Sequence, residues 1–231
     1  MSPNGSRVSH TPSRRDRYHH GDLRAALVDA AIDLIGVRGV RDFSLAEATR
    51  RVGVTAAAPY RHFADRDDLL AAVAVRALET FAAMLSAERG KKGTPEQQLA
   101  AMARAYVRFA AEERPMFETL FSAGIDKTRY PELKRAYEPI DVFFDLVAEV
   151  CEGDAAVAAA LAGALEATAH GHAALLLDGE YGEGPDAIRA AADRAAAATL
   201  ALIEGRKALS TSRRRPWRSD RRSARPRGRR C

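Results

Sequence analysis

The sequence predicts an all-α protein, and three observations carry that prediction. Hydrophobic residues make up 47% of the chain, with alanine prominent among them. Alanine has the highest intrinsic helix propensity. Apolar residues recur at spacings of three and four along most of the chain, the period of one helix face. No stretch alternates apolar and polar residues as a half-buried strand would. The expected architecture is a small three-helix unit joined by a long fourth helix to a larger helical unit.

Residues 1–17, rich in Ser, Arg and Pro, read as a flexible basic arm. The first helix begins near Gly21-Asp22 and carries Leu23, Leu27, Ala30, Leu34 and Ile35 on one face, with Gly39 as its stop. Ser44 then offers a cap, and Glu47, three residues on, is placed to return the bond to the cap's own N–H. Leu45, Ala48 and Val52 repeat at helical spacing, and Gly53 falls where the chain must turn. Thr55 can cap a third, short helix that ends in Tyr60-Arg61-His62-Phe63. This is a helix-turn-helix pattern. Such a short helix of small side chains can lie in a major groove while Tyr60, Arg61 and His62 reach phosphates. The other reading is a plain helical hairpin, with Tyr60 and His62 closing a corner. Phe63 is core in either case.

Asp65, with Asp68 three residues later, caps a long fourth helix bearing Leu70, Val73, Ala77, Phe81 and Met84. Thr94-Pro95 with Gln97 starts the fifth. Pro115 opens a short sixth helix. Pro131 opens a seventh that runs to Gly153. Asp154 caps an alanine-rich eighth, and Pro185 opens a ninth that ends near Gly205. The domain limits follow: a head over 18–66, a body over 67–207 and an Arg-rich tail over 208–231. Small faces on the eighth and ninth helices suit a four-helix interface between two copies, although an intramolecular pair would use the same residues.

The net charge of +5 is unevenly spread. Residues 213–231 hold ten Arg against one Asp, and residues 1–20 four Arg against one Asp, so residues 21–212 carry −7. Basic tails beside a groove-reading helix fit nucleic acid, and also fit a solvated, structureless segment. The two cysteines, Cys151 and Cys231, form neither a disulfide framework nor a metal motif, as expected in a reducing cytoplasm. No apolar run approaches the length of a membrane span, and the first residues lack a signal peptide's apolar centre. His170 and His172 project about 200° apart on a helix, so they do not share a metal ion. His19-His20 has no partner ligands at suitable spacing. No nucleophile–base set or phosphate loop emerges. Neither an enzymatic activity nor a cofactor is expected.

YHHGDLRAALVDAAIDLI (18–35), FSLAEATRRVGV (43–54) and APYRHFADRDDLL (58–70) together resemble the N-terminal domain of the TetR-type transcriptional repressors. AYVRFAAEERPMFETLF (105–121) is similar to one branch of that family, which often carries Trp-x-x-x-His-Gly in its C-terminal domain. Here His170-Gly171 is present and Glu166 stands at the Trp position. The resemblance implies a homodimer on a palindromic, double-stranded operator, paired through its last two long helices and released by a small apolar or amphipathic molecule. By position it implies DNA contacts from Ser44, Thr55, Ala56, Ala57, Tyr60, Arg61, His62 and Arg66, the last in place of a common Lys. Pro59 departs from the usual aliphatic residue, which predicts an irregular or shifted start to the third helix. The aromatic set Tyr106, Phe109, Phe117, Phe121, Tyr137 and Phe144, with His170, is the candidate ligand pocket. Two other functions fit the composition: a sequence-tolerant nucleic-acid binder driven by the Arg tail, and a helical small-molecule binder without operator control.

Overall fold

The computed structural model describes residues 20–89, 93–122, 124–126 and 128–209. Every regular element among them is helical. The arm over 1–17 and the Arg-rich segment over 213–231 lie outside the described residues.

Helix α1 (His20–Arg38) leads to Ser44, whose extended backbone and hydroxyl cap α2 (Leu45–Val52). The Ser44 Oγ accepts from the Glu47 amide at 3.2 Å. Glu47 does not return the bond as expected. Its carboxylate pairs instead with Arg38 at the end of α1, at 2.8 Å, which ties the two helices together. Gly53 closes α2 at φ 79°, where any Cβ would be strained, and donates to the Thr49 and Arg50 carbonyls.

The expected third helix is reduced to a turn and a single 3₁₀ turn, Pro59–Arg61. Pro59 has no N–H to give to the Thr55 carbonyl, so an α-helical ladder cannot start there. The Ala58 amide takes that carbonyl at 3.1 Å, a tighter i→i−3 bond. Ala58 itself is α-helical (φ −61°, ψ −42°) despite the proline after it, and no side chain, Thr55 included, caps the turn. Phe63 is buried as expected and joins Leu27, Ile35, Phe43, Leu45 and Leu70 in the core of the head.

Asp65 and Asp68 start α3 (Arg66–Arg89) as an acidic version of the capping box. The Asp68 amide donates to Asp65 at 2.8 Å, and the Ala64 amide donates to Asp68 at 3.0 Å. At 1.5 Å per residue this 24-residue helix spans about 36 Å. Its first turns fill the head core with Leu69, Leu70 and Val73; its later turns enter the body with Ala77 and Leu85. By length and mean hydropathy (1.6), Arg66–Glu88 is apolar enough to cross a membrane, yet 61% of that stretch is buried inside the protein. It is the central core helix.

In the body, Thr94 and Gln97 complete a reciprocal capping box on α4 (Pro95–Glu112). α5 (Arg114–Ser122) and α6 (Pro131–Tyr137) follow. The single seventh helix expected from Pro131 to Gly153 is instead broken. Pro139 forces a 3₁₀ turn, Glu138–Ile140, before α7 (Asp141–Val150), because its ring removes the donor that Arg135's carbonyl would need. Asp154 caps α8 (Ala155–Leu177), and α9 (Gly184–Glu204) and α10 (Arg206–Leu209) end the described chain. α4 lies along both α8 and α9, which also pair with each other. Ala169, Ala173, Ala191 and Ala195 are buried between them, so half of the small-residue surface is used within one copy. The other half, including Ala159, Ala160, Gly163 and Leu200, is exposed.

Candidate nucleic-acid interface and ligand cavity

The face presented by the head is built from small residues around one aromatic. Thr55, Ala56, Ala57 and Arg61 are exposed, His62 is half-buried, and the Tyr60 ring is 64% exposed. The proline turn sets this surface: with only one 3₁₀ turn after it, Tyr60 and Arg61 project from the end of the hairpin. Ser44 is exposed on the same domain, although its hydroxyl is committed to the α2 cap. Arg66 is differently employed. Its Nε donates to the Phe43 carbonyl at 3.1 Å, its Nη2 bonds the Val40 carbonyl, and the guanidinium lies 4.9 Å from the Phe43 ring centre. It braces the α1–α2 loop against α3.

Above the head, the start of α3 is tied to the body. Arg129 bonds Asp65 at 3.0 Å and Asp68 at 3.3 Å, and the Tyr130 hydroxyl donates to Asp68 at 3.0 Å. Asp65 is held below its ordinary pKa, first by the Asp68 amide and then by Arg129. Burial, followed by the Asp68 carboxylate, pushes the Tyr130 hydroxyl up to about 12. Sequence reasoning placed the two aspartates as a cap and missed this second use, because Arg129 and Tyr130 come from a loop some sixty residues away, with separations of 61 to 64.

The body contains a cavity of about 160 Å³. Tyr106, Phe121, Tyr137 and Phe144 from the expected set line it. Phe109, Phe117 and His170 do not. Phe109 and Phe117 are buried one layer behind, 1% and 5% exposed. His170 is drawn off by the Tyr106 hydroxyl, 3.0 Å from its Nδ1, and by stacking on Phe117 with ring centres 5.5 Å apart. Helical spacing puts all seven on inward faces but does not say which layer each occupies. Sequence reasoning missed Phe81 on α3 and Thr199 on α9, whose only signal is membership of a helical inward face. It also missed Phe143 on α7, which lies off the stripe that carries Phe144. Glu166 is on the wall and exposed. Burial raises the Tyr106 hydroxyl pKa strongly, and the Glu166 charge adds to that. His172 turns away from His170 and bonds Tyr181. Among the described residues, no group of three or more potential metal ligands comes together.

The head and most of the body each match a known family. Residues 27–73 match the family of bacterial regulatory proteins called tetR, and residues 99–199 match the tetracyclin repressor-like C-terminal domain. The chain belongs to the TetR family. Among TetR-type relatives, the HTH-type transcriptional regulator BetI of Brucella anthropi is 33% identical over 90 residues, covering 39% of this chain and 45% of that protein. The chain therefore spans less than half the length of that relative. A protein of unknown function from Rhodococcus sp. RHA1 shares the fold at TM-score 0.65 and 28% identity, covering 83% of this chain and 98% of that one. The fatty acid degradation regulator FadR of Bacillus halodurans superimposes at TM-score 0.60 and 13% identity, covering 83% and 97%, a likeness of fold alone.

Proposed function

We propose that this chain is a ligand-responsive DNA-binding regulator: a repressor that binds a palindromic operator as a homodimer and is released by a small molecule. The reading is regulatory, not enzymatic, and places the protein on the nucleoid in the cytoplasm. One observation carries it. α3 is a single continuous helix whose first turn anchors the head through Arg66, Asp65 and Asp68, and whose later side chains Leu78, Phe81 and Leu85 wall the cavity. A molecule that fits the cavity better in one α3 position than another shifts the head with it, since differential affinity is what moves such an equilibrium.

On DNA, Tyr60, Arg61, His62 and the Ser44 end of α2 meet phosphates. Thr55, Ala56 and Ala57 face the groove, where alanines can meet thymine methyls. Arg66 acts through the α1–α2 loop it braces. The exposed small-residue faces of α8 and α9 pair two copies, which sets two heads one helical turn apart.

Selecting bound genomic fragments with the full chain and with residues 1–209 alone, then footprinting, tests this. The expected result is a protected site with two-fold sequence symmetry for both proteins, with affinity that falls steeply with salt. Binding without a preferred site, or binding lost when residues 210–231 are removed, would instead leave the Arg-driven, sequence-tolerant reading.

A further inference from the structure

We infer that the cavity takes an organic monocation, an ammonium group on an apolar body about one ring in size, and that Glu166 selects it. The inference rests on the reading of this cavity as the ligand site. Its walls are aliphatic and aromatic, and no Lys, Arg or His lines it. Glu166 is the single charged group in the wall, and no described cation lies within ion-pair distance of it. Phe121 and Phe144, 48% and 52% exposed, also line the cavity. Their ring faces attract cations. A ligand that covers the opening takes the Glu166 carboxylate out of water. A neutral ligand leaves that charge uncompensated and an anion adds repulsion, whereas a cation answers it.

Thr199 also forms part of the wall, but its unpaired hydroxyl is closed off from the cavity space, so the ligand's polar contact is left to Glu166. The volume fits a small body: an engineered apolar cavity of about 150 Å³ holds benzene, and this one is about 160 Å³. The ammonium head then sits at the opening beside Glu166, Phe121 and Phe144, with the body among Phe81, Leu99 and Leu165.

Three probes with one body and different charge test this: 3-phenylpropylammonium, 3-phenylpropanol and 3-phenylpropanoate. Binding is measured by calorimetry on the full chain without DNA. The ammonium should bind roughly tenfold more tightly than the alcohol, and the carboxylate more weakly than both. Glu166→Gln should abolish the advantage of the ammonium, weakening the ammonium and strengthening the alcohol and the carboxylate, so that the three affinities converge to within about twofold. Glu166→Asp should restore part of it. Glu166 is exposed, so both variants are expected to fold, and their circular dichroism checks that. Equal affinities, a preference for the carboxylate, no binding by any probe at millimolar concentration, or a ranking indifferent to Glu166→Gln each overturns the inference. Operator binding is scored separately. A bound operator with a failed ranking removes this inference alone, and a correct ranking without an operator removes the regulator reading alone.

Discussion

The face of the head and the wall of the cavity are built in opposite ways. The head displays consecutive residues, Thr55 to His62, most of them small, around one exposed tyrosine. The cavity draws large side chains from helices as far apart as α3 and α8. The head owes its shape to local hydrogen bonds: the Ser44 cap, the Gly53 turn and the i→i−3 bonds around Pro59. The cavity owes its shape to which helices lie against which. On the proposed docking, a surface with few long side chains has little to read bases with, which puts its affinity on phosphate contacts and its selectivity on DNA shape. The proposed ligand site would have the reverse property: one charge among hydrocarbon gives weak grip in general and sharp choice of charge.

The largest effect that would break this contrast is at Tyr60. Tyr60→Ala should lower operator affinity by about tenfold per head and roughly a hundredfold for the dimer, the scale of hydrogen bonds to charged groups. The loss should be the same on matched and mismatched operators, because phosphate contacts carry no sequence information. Melting temperature should not move, since the ring is 64% exposed. Fluorescence anisotropy on both DNAs gives the answer. A loss confined to the matched operator would make Tyr60 a base reader and the head a conventional one.

The same contrast explains what the sequence could convey. Caps and stops are local, so Ser44, Gly53, Thr94 with Gln97, and Asp154 were legible as helix boundaries. Pro59 was legible as an irregularity but not in its extent, since it removed a whole expected helix, and Pro139, which split another, was passed over because the apolar period runs on through it. Pair choices between helices were not legible. Glu47 fits a capping box by spacing, yet Arg38 competes for it across the hairpin. Tyr106 and Phe109 lie three residues apart on one stripe, yet only Tyr106 reaches the cavity. Periodicity fixes a face to within a wide angle, and the layer within that face is decided by neighbours from remote sequence.

A smaller effect tests the cavity side. Thr199→Val exchanges an unsatisfied buried hydroxyl for a methyl of nearly the same shape. Removing that penalty should stabilise the ligand-free protein by about 1 kcal/mol. For a chain of this size that raises the melting temperature by about 2–4 °C. Scanning calorimetry measures it. A loss of stability would mean that the hydroxyl is satisfied in solution.

The smallest effect lies at the joint between the two regions, and its sign follows from the two shifted groups. Asp65 is held below its ordinary 3.8, so its contribution is complete above that value and is lost as pH falls through the lower folded one. Tyr130 is raised from 10.0 to about 12, so its contribution is complete below about 10 and is lost as pH climbs toward 12. The joint is therefore flat across neutral pH and weakens at both ends. Tyr130→Phe isolates the alkaline limb. It should cost about 1 kcal/mol at pH 7, the worth of one hydrogen bond, because Asp68 keeps Arg129 and the Ala64 amide. Urea unfolding of both proteins, compared at each pH, cancels every other titrating group. The gap between them should hold constant from about pH 5 to 9 and narrow above about pH 10. A gap that persists unchanged would mean that the Tyr130 hydroxyl does not serve Asp68. The polar part of the joint would then rest on Arg129 alone, a half-exposed ion pair that contributes little and yields to salt.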